Sequence, residues 1–216
     1  MAETRISRWL GIVLLLVIST TFGANHIAAR IAFEHGANVT TAVAFRSTGT
    51  AIFVLALLIW YGIPLKIPNK TRGQASFIGL MLAVQSYCLY SAVALIPVAL
   101  ALLAFNTFPM LLALMSWAAG GERPSPRALA AMPIALAGLA LALDVRGESG
   151  DMAGRWTEIG AGVLWATGAA VSFAAVLYLT SHWLKDLDGR VRTLYMMITI
   201  SVLMIAGGAL AADFKL

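Results

Sequence analysis

The chain has 216 residues, of which 60% are hydrophobic and 12% are charged, and its formal net charge is +5. A soluble domain is about half apolar and about a quarter charged, so this composition excludes an ordinary soluble fold and predicts an all-α membrane protein. The positive residues are scattered among the loops rather than clustered on one segment, which argues against a nucleic-acid partner.

Apolar stretches of the length that a membrane-spanning helix needs, about 20 residues, recur along the chain. We predict seven transmembrane helices, at residues 9–29, 39–61, 74–96, 98–119, 128–143, 159–181 and 193–212. Residues 73–121 contain no Asp, Glu, Lys or Arg and are too long for one span, so this segment must double back. Pro97 lacks a backbone N–H and disfavours helix in the preceding residue, so we predict the turn of a helical hairpin there.

The N-terminal segment permits a second interpretation, because Arg5 and Arg8 precede an apolar run as in a secretory signal peptide. The apolar run continues beyond Ser19, no clear Ala-x-Ala cleavage site follows, and further spans come after it. We therefore predict an uncleaved first helix. Cys88 is the single cysteine of the sequence, which excludes an intrachain disulfide and a CxxC site and predicts a packing role.

The distribution of basic residues predicts how the chain is oriented. One set of alternate connections carries Arg5, Arg8, Lys66, Lys70, Arg72, Arg123, Arg127, Lys185, Arg190 and Arg192. The other set carries Arg30, Arg146, Arg155 and Lys215, together with Glu34, Asp144, Glu148, Asp151 and Glu158. Because cytoplasmic loops are rich in Lys and Arg, we predict a multi-pass plasma-membrane protein of the bacterial inner-membrane type, with a cytoplasmic N-terminus. This orientation argues against a seven-helix receptor, whose N-terminus lies outside.

Polar side chains inside the predicted spans are the candidates for function, because burying them in lipid is costly. With a rise of about 1.5 Å per residue, several of them fall roughly 10–12 Å below the outer membrane boundary. These are Asn25, His26, Arg46, Asn106 and Thr167, while Gln85 lies nearer the midplane. We predict that this layer lines a substrate cavity in which Arg46 supplies a cation for carboxylate or phosphate groups.

A structural interpretation stays open for several of these residues. Asn25, Gln85 and Asn106 fit interhelical amide bonds as well as they fit a binding site. Arg46 lies too deep for easy snorkelling, which favours a functional role or a structural role common to its family. His26 has the chemistry of a proton carrier, but its closeness to the membrane interface favours a structural histidine.

Two further features narrow the mechanism. Pro109 is predicted to kink the fourth span, which makes it a candidate gate, although such kinks also occur in purely structural membrane helices. No Asp or Glu lies in the middle of a predicted span, so the carboxylate relay of many proton-driven antiporters is not visible. The sequence also lacks HExxH, GxSxG and GxxxxGK(S/T) motifs, and we predict no enzyme activity, no cofactor and no metal site.

The chain contains a weak internal repeat. Residues Thr21, Phe22, Gly23 and Ala24 align with Ser172, Phe173, Ala174 and Ala175. The alignment places the first span on the sixth and the second span on the seventh. Five spans separate the starts of the two units, and because this number is odd, we predict that the second unit is inverted in the membrane.

Short motifs spread over nearly the whole chain carry a family resemblance. They are Phe22, Gly23, Ala24 and Asn25, then Arg46, then Tyr90, Ser91 and Ala92, then Pro109 and residues 120–123, then Ala135 and Gly138, and finally residues 165–178. On these residues the chain resembles the EamA-like family of the drug/metabolite transporter superfamily. The resemblance implies ten helices in two five-helix repeats, with residues 1–146 as the first repeat and residues 147–216 as two helices of the second.

The same resemblance implies a function. It points to a secondary transporter that exports small metabolites or drug-like compounds by alternating access around a midplane cavity. It also adds Trp165 to the cavity candidates, since the sixth helix of the family faces the substrate path. The expected partners are the lipid bilayer and a small-molecule substrate, with homodimerisation left open. The alternative is a truncated, non-transporting membrane module that associates with or regulates another membrane protein.

Overall fold

The computed structural model describes residues 8–125, 130, 133–134, 137–138 and 156–211. Over these residues the backbone is helical apart from short connections and has no strand, which confirms the predicted all-α fold. The helices with defined ends are α1 (Arg8–Glu34), α2 (Val39–Trp60), α3 (Asn69–Leu95), α4 (Val98–Phe105), α5 (Phe108–Ala118), α6 (Trp156–Trp183) and α7 (Gly189–Ala211). The predicted fifth span, at residues 128–143, lies almost entirely outside the described residues.

Six of the predicted spans lie in the described part of the chain. The helices α1, α2, α3, α6 and α7, and the pair α4 and α5 taken together, are each long and apolar enough to cross a membrane. The protein is therefore a multi-pass membrane protein in contact with the lipid bilayer. Some helices are longer than predicted: α3 begins at Asn69 rather than at residue 74. Lys70 and Arg72 lie in this extra turn, and such long basic side chains at a helix end can reach the headgroup region.

The most buried helix of the bundle is α3. Half of its spanning segment is buried within the protein, compared with 11% for α1. Close packing depends on glycine: a Cβ atom at Gly79 would lie 2.8 Å from Thr199 Cβ and 3.2 Å from Met196 Cα of α7. A Cβ at Gly162 of α6 would lie 2.5 Å from Ile96 Cγ2, just after α3. Small residues bring membrane helices together because apolar side chains gain little by leaving lipid.

The inner face of α6 is also built from small residues. Ala166, Ala169 and Ala170 are fully buried and pack against α3 and α4. Cys88 of α3 is buried in this interface, in agreement with the packing role predicted for it. The Ser172 hydroxyl of α6 donates a hydrogen bond to the Met81 carbonyl of α3 at 2.7 Å. The interface between α3 and α6 is therefore closely packed, which leaves little room for a ligand along most of its length.

Pro97 and Pro109 lie near the two breaks in the helices that follow α3. The turn between α3 and α4 consists of Ile96 and Pro97, where the sequence predicted the hairpin. The predicted fourth span is interrupted at Asn106 and Thr107, between α4 and α5. Pro109 is the second residue of α5, and because it has no N–H, it cannot donate to the carbonyl four residues earlier. The helix thus breaks at Asn106 and Thr107, just before Pro109, rather than at Pro109 itself.

Arg30 attaches the end of α1 to the end of α3. Its Nη1 donates to the carbonyl oxygens of Val93 and Ala94 at 2.9 and 3.3 Å, and its Nε pairs with Glu34 at 2.9 Å. The last carbonyls of a helix lack intrahelical partners and favour a positive charge. Since α1 buries little of its surface, this contact is important for holding α1 in place.

Replacing Arg30 with methionine is expected to lower the free energy of unfolding by about 1–2 kcal/mol, because hydrogen bonds from a charged group are worth about that much and this one is partly exposed. Unfolding in SDS, followed by tryptophan fluorescence, measures the change. Lys70→Met, at an exposed position at the start of α3, is the control. An equal free energy of unfolding for the two variants would mean that the Arg30 contacts do not stabilise the attachment of α1.

Candidate functional site

A cavity of about 680 Å³ is lined by residues from every described helix of the bundle. Its polar lining consists of Thr21, Asn25, His26, Arg46, Thr50, Gln85, Ser86, Tyr90 and Asn106. Its apolar lining consists of Val17, Ile18, Phe22, Leu82, Leu89, Phe105, Phe108, Phe173 and Met197. Five of the candidate residues from the sequence, Asn25, His26, Arg46, Gln85 and Asn106, therefore lie at one cavity although they come from four segments of the chain.

Arg46 presents a positive charge to this cavity. Its Nη2 donates to the Ser86 hydroxyl at 3.0 Å, and its guanidinium lies 5.6 Å from the centre of the Tyr90 ring. Nη1 and Nε have no hydrogen-bond partner, and no carboxylate pairs with Arg46, among the residues that the structure describes. Nε is a buried atom, so Nη1 is the donor that Arg46 can offer to an anion, and the guanidinium stays charged in proteins.

Tyr90 of α3 contacts Arg46 through its ring and Asn25 of α1 through its hydroxyl. The Asn25 amide nitrogen donates to the Tyr90 hydroxyl at 3.0 Å, and the Tyr90 ring is almost fully buried. The Asn25 amide therefore joins two helices, which is the structural role left open by the sequence. We did not predict Tyr90 or Ser86 as site residues. Ser86 and Tyr90 are four residues apart on α3, so both lie on the helix face that meets Arg46. This spacing could have been used to predict from the sequence that they share a face.

His26 lies beside this group in an unusual environment. It is 2% exposed, and its ring contacts those of Phe22 and Tyr90, with centroids 4.8 and 5.7 Å away. Neither ring nitrogen has a hydrogen-bond partner among the described residues. A buried polar group without a partner is costly, so a rotation of His26 toward a bound ligand would recover a hydrogen bond. No group of three or more His, Cys, Asp or Glu able to hold a metal occurs in the described ranges.

The remaining amides of the cavity make local bonds. Gln85 Oε1 accepts a long bond from the neighbouring Ser86 hydroxyl at 3.4 Å, and Gln85 is buried. Asn106 Nδ2 donates to the Leu102 carbonyl at 2.7 Å, at the point where α4 ends. Asn106 therefore caps the interruption between α4 and α5 while it borders the cavity. This bond gives its amide a structural task in addition to any contact with a ligand.

Three candidates lie away from the cavity lining. Trp165 is partly exposed and packs on Tyr87 with ring centroids 6.1 Å apart, and the Thr167 hydroxyl donates to the carbonyl of Val163 in its own helix. Neither is among the described lining residues, because the inward face of α6 at this level is the alanine stripe around Ala166, and Trp165 and Thr167 on either side of it are exposed. Pro109 is exposed and follows the lining residue Phe108.

Three phenylalanines form an aromatic cluster at the cavity. Phe105, Phe108 and Phe173, from α4, α5 and α6, have ring centroids 4.9–5.4 Å apart. The internal repeat pairs Phe173 with Phe22, and the same offset in sequence pairs Met197 with Arg46. All four of these residues line the cavity. Residues that this predicted alignment pairs therefore lie at the same cavity.

One comparison with known proteins gives a match. The sequence model described as the EamA-like transporter family matches residues 9–143, which is more than half of the chain and includes Arg46, Tyr90 and Asn106. Neither the comparison with curated proteins nor the comparison with solved structures gives a match. The members of the matched family are transporters rather than enzymes. On the family match and the bundle of apolar helices, the chain belongs to the EamA-like transporter family.

Proposed function

We propose that this protein is a secondary transporter that exports small metabolites or drug-like compounds across a bacterial inner membrane. The observation that carries the proposal is the cavity of about 680 Å³ that the described helices border, with Arg46, His26 and Gln85 at its wall. Cavities of about 300–1,000 Å³ with mostly apolar walls and a few polar groups are typical of small-molecule sites. Arg46 would bind a negatively charged group, and His26 and Asn106 would orient the substrate.

Alternating access between two inverted repeats is the mechanism we propose. Residues 1–146 would form the first repeat, and residues 147–216 would belong to the second. Two features support movement around the cavity: α1 buries little of its surface, and the fourth span is interrupted beside Phe108 and Pro109. Helices with a break beside a binding site can change their angle at low cost, so Pro109 would act as part of a gate.

A cytoplasmic N-terminus completes the proposed topology. The connection between α2 and α3 lies against α7, because the Tyr195 hydroxyl donates to the Leu65 carbonyl at 3.0 Å. Arg190, at the start of α7, lies over the Tyr61 ring at 5.5 Å. These two contacts bring the basic residues Lys66, Lys70 and Arg190 to one end of the bundle, which supports a cytoplasmic location for that end. At the same end, hydrogen bonds from Arg190 lower the pKa of Asp188, which precedes α7.

Cysteine accessibility tests this proposal without knowledge of the substrate. Thr50 lines the cavity, and Cys88 is the single native cysteine, so Thr50→Cys in a Cys88→Ala background gives one reporter thiol. We expect a membrane-impermeant maleimide to label it from either face, in right-side-out and in inverted vesicles. Ser47→Cys is the matched control, because Ser47 is fully buried three residues earlier on α2.

Labelling of the Thr50 position from one face only, under every condition, would contradict alternating access. Labelling of the Ser47 control at the same rate would show that the reporter does not measure the cavity. A leak of small ions through proteoliposomes that carry the unmodified protein would indicate an open pore instead of a transporter.

A further inference from the structure

The lining of the cavity divides into two groups of different chemistry. Most of the polar group lies on α1, α2 and α3, where Ser86 and Tyr90 contact Arg46, and Asn106 adds one amide at the end of α4. The aromatic group consists of Phe105, Phe108 and Phe173, which come from α4, α5 and α6 and contact one another. A ligand that fills both parts must itself have a polar end and an apolar end. An apolar end beside Arg46, or a polar end beside the phenylalanines, would leave a buried polar group without a hydrogen-bond partner.

The charge of the lining limits the charge of the ligand. Arg46 is the one Lys or Arg, and no Asp or Glu occurs, among the described lining residues. The lining residue that α7 contributes is Met197, which carries no charge. A ligand with one negative group is neutralised by Arg46, whereas an ammonium or a second anionic charge would stay uncompensated in a largely apolar cavity.

The geometry of Arg46 also suits an oxyanion such as a carboxylate. Ser86 and the Tyr90 ring hold the guanidinium in place, and Nη1 has no partner among the described residues. A guanidinium held in this way loses little side-chain entropy when it binds an oxyanion. The aromatic cluster favours a ring in the rest of the ligand, because offset and edge-to-face ring contacts add to simple burial.

We propose, as a refinement that rests on the proposed transport function, that the substrate is a monoanionic organic acid with a ring-bearing apolar body. Its anionic group binds Arg46 beside Ser86 and Tyr90. Its body packs against Phe105, Phe108 and Phe173. An amino acid with the same ring binds less well, because its ammonium finds no carboxylate among the described lining residues.

The first test measures binding to the purified chain in nanodiscs by isothermal titration calorimetry. The probes are 3-phenylpropionate, 3-phenylpropan-1-ol, 3-phenylpropylamine, propionate and phenylalanine. We expect 3-phenylpropionate to bind at least about tenfold more tightly than each of the others, because it alone combines one anion, one ring and no other charge. Equal or tighter binding of any other probe would overturn the proposal, as would a failure of 3-phenylpropionate to bind.

Two variants separate the two parts of the site. Phe173→Leu keeps an apolar side chain but removes the ring, so it is expected to weaken 3-phenylpropionate by roughly 2- to 10-fold and to leave propionate unchanged. Arg46→Gln is expected to remove the preference for 3-phenylpropionate over the matched alcohol. Lys70→Gln, exposed and outside the cavity lining, is the control for loss of positive charge. A preference that survives in Arg46→Gln would show that the anion binds elsewhere.

The outcomes for substrate class and for transport are distinguishable. If the amine or the alcohol binds best while the Thr50 reporter is labelled from both faces, the substrate class is wrong and the transport proposal stands. If the reporter is labelled from one face only, transport by alternating access is wrong, whichever probe binds.

Discussion

Replacing Arg46 with glutamine is expected to lower the affinity for a transported anion by about 30-fold or more, equivalent to about 2 kcal/mol, because the anion would lose its charged partner inside the cavity. Glutamine keeps a donor amide but is shorter than arginine, so the change removes the charge together with the outer donors. Flux of 3-phenylpropionate in proteoliposomes, measured over a range of concentrations, gives the effect on KM and on maximal rate. We expect the larger effect on KM, because Arg46 contacts substrate in the bound state.

Arg46→Lys and Lys70→Gln are the controls for this experiment. Lysine keeps the charge but lacks the planar fork that reaches Ser86 and lies over Tyr90, so we expect partial recovery of flux. Lys70→Gln removes a positive charge at the end of α3 and is expected to leave KM unchanged. An Arg46→Gln protein that folds normally and transports the anion with the KM of the unmodified protein would remove Arg46 from the substrate site.

Replacing Gly79 with alanine is expected to destabilise the bundle by about 1–3 kcal/mol, the usual cost of overpacking a close contact. The new methyl group would lie 2.8 Å from Thr199 Cβ and 3.2 Å from Met196 Cα. Because a side-chain rotation moves neither a Cα nor a Cβ atom, it cannot relieve either contact, and α3 and α7 must separate. Thermal unfolding in detergent measures the change as a lower Tm.

Gly73→Ala is the matched control for Gly79→Ala, since it lies on the same helix and a Cβ there meets no atom within 4 Å. Alanine is the better helix former, so we expect this variant to unfold at the same temperature as the unmodified protein or slightly above it. A Gly79→Ala protein as stable as Gly73→Ala would mean that α3 and α7 do not approach as closely as the structure indicates.

Much of the membrane topology follows from the sequence alone. A helix must be apolar over about 20 residues to cross lipid, and this requirement is visible residue by residue. The predicted spans in the described part of the chain therefore correspond to helices, and the turn at Pro97 follows from the missing N–H of proline. The place of Arg46 within the second span could also be read from the sequence, because its distance along the helix depends only on the rise per residue.

The composition of the cavity was only partly predictable. Arg46, Asn25 and His26 were found because polar residues are rare in spans, but the aromatic residues Phe105 and Phe173 resemble ordinary lipid-facing residues in sequence. Trp165 was assigned to the cavity on family resemblance and lies outside it, because alanines occupy the inward face of α6. Which face of a helix points inward depends on its rotation, and rotation depends on packing against neighbours.

The sequence by itself determined that this protein crosses the membrane repeatedly, where each described span lies, and that an arginine is placed within one of them. These properties depend on local composition and helix geometry. Only the tertiary structure decided that Tyr90 and Ser86 hold Arg46, that Asn25 holds Tyr90, and that an aromatic cluster borders the same cavity. Such contacts join residues far apart in the chain, and they depend on close approaches between helices that no single segment encodes.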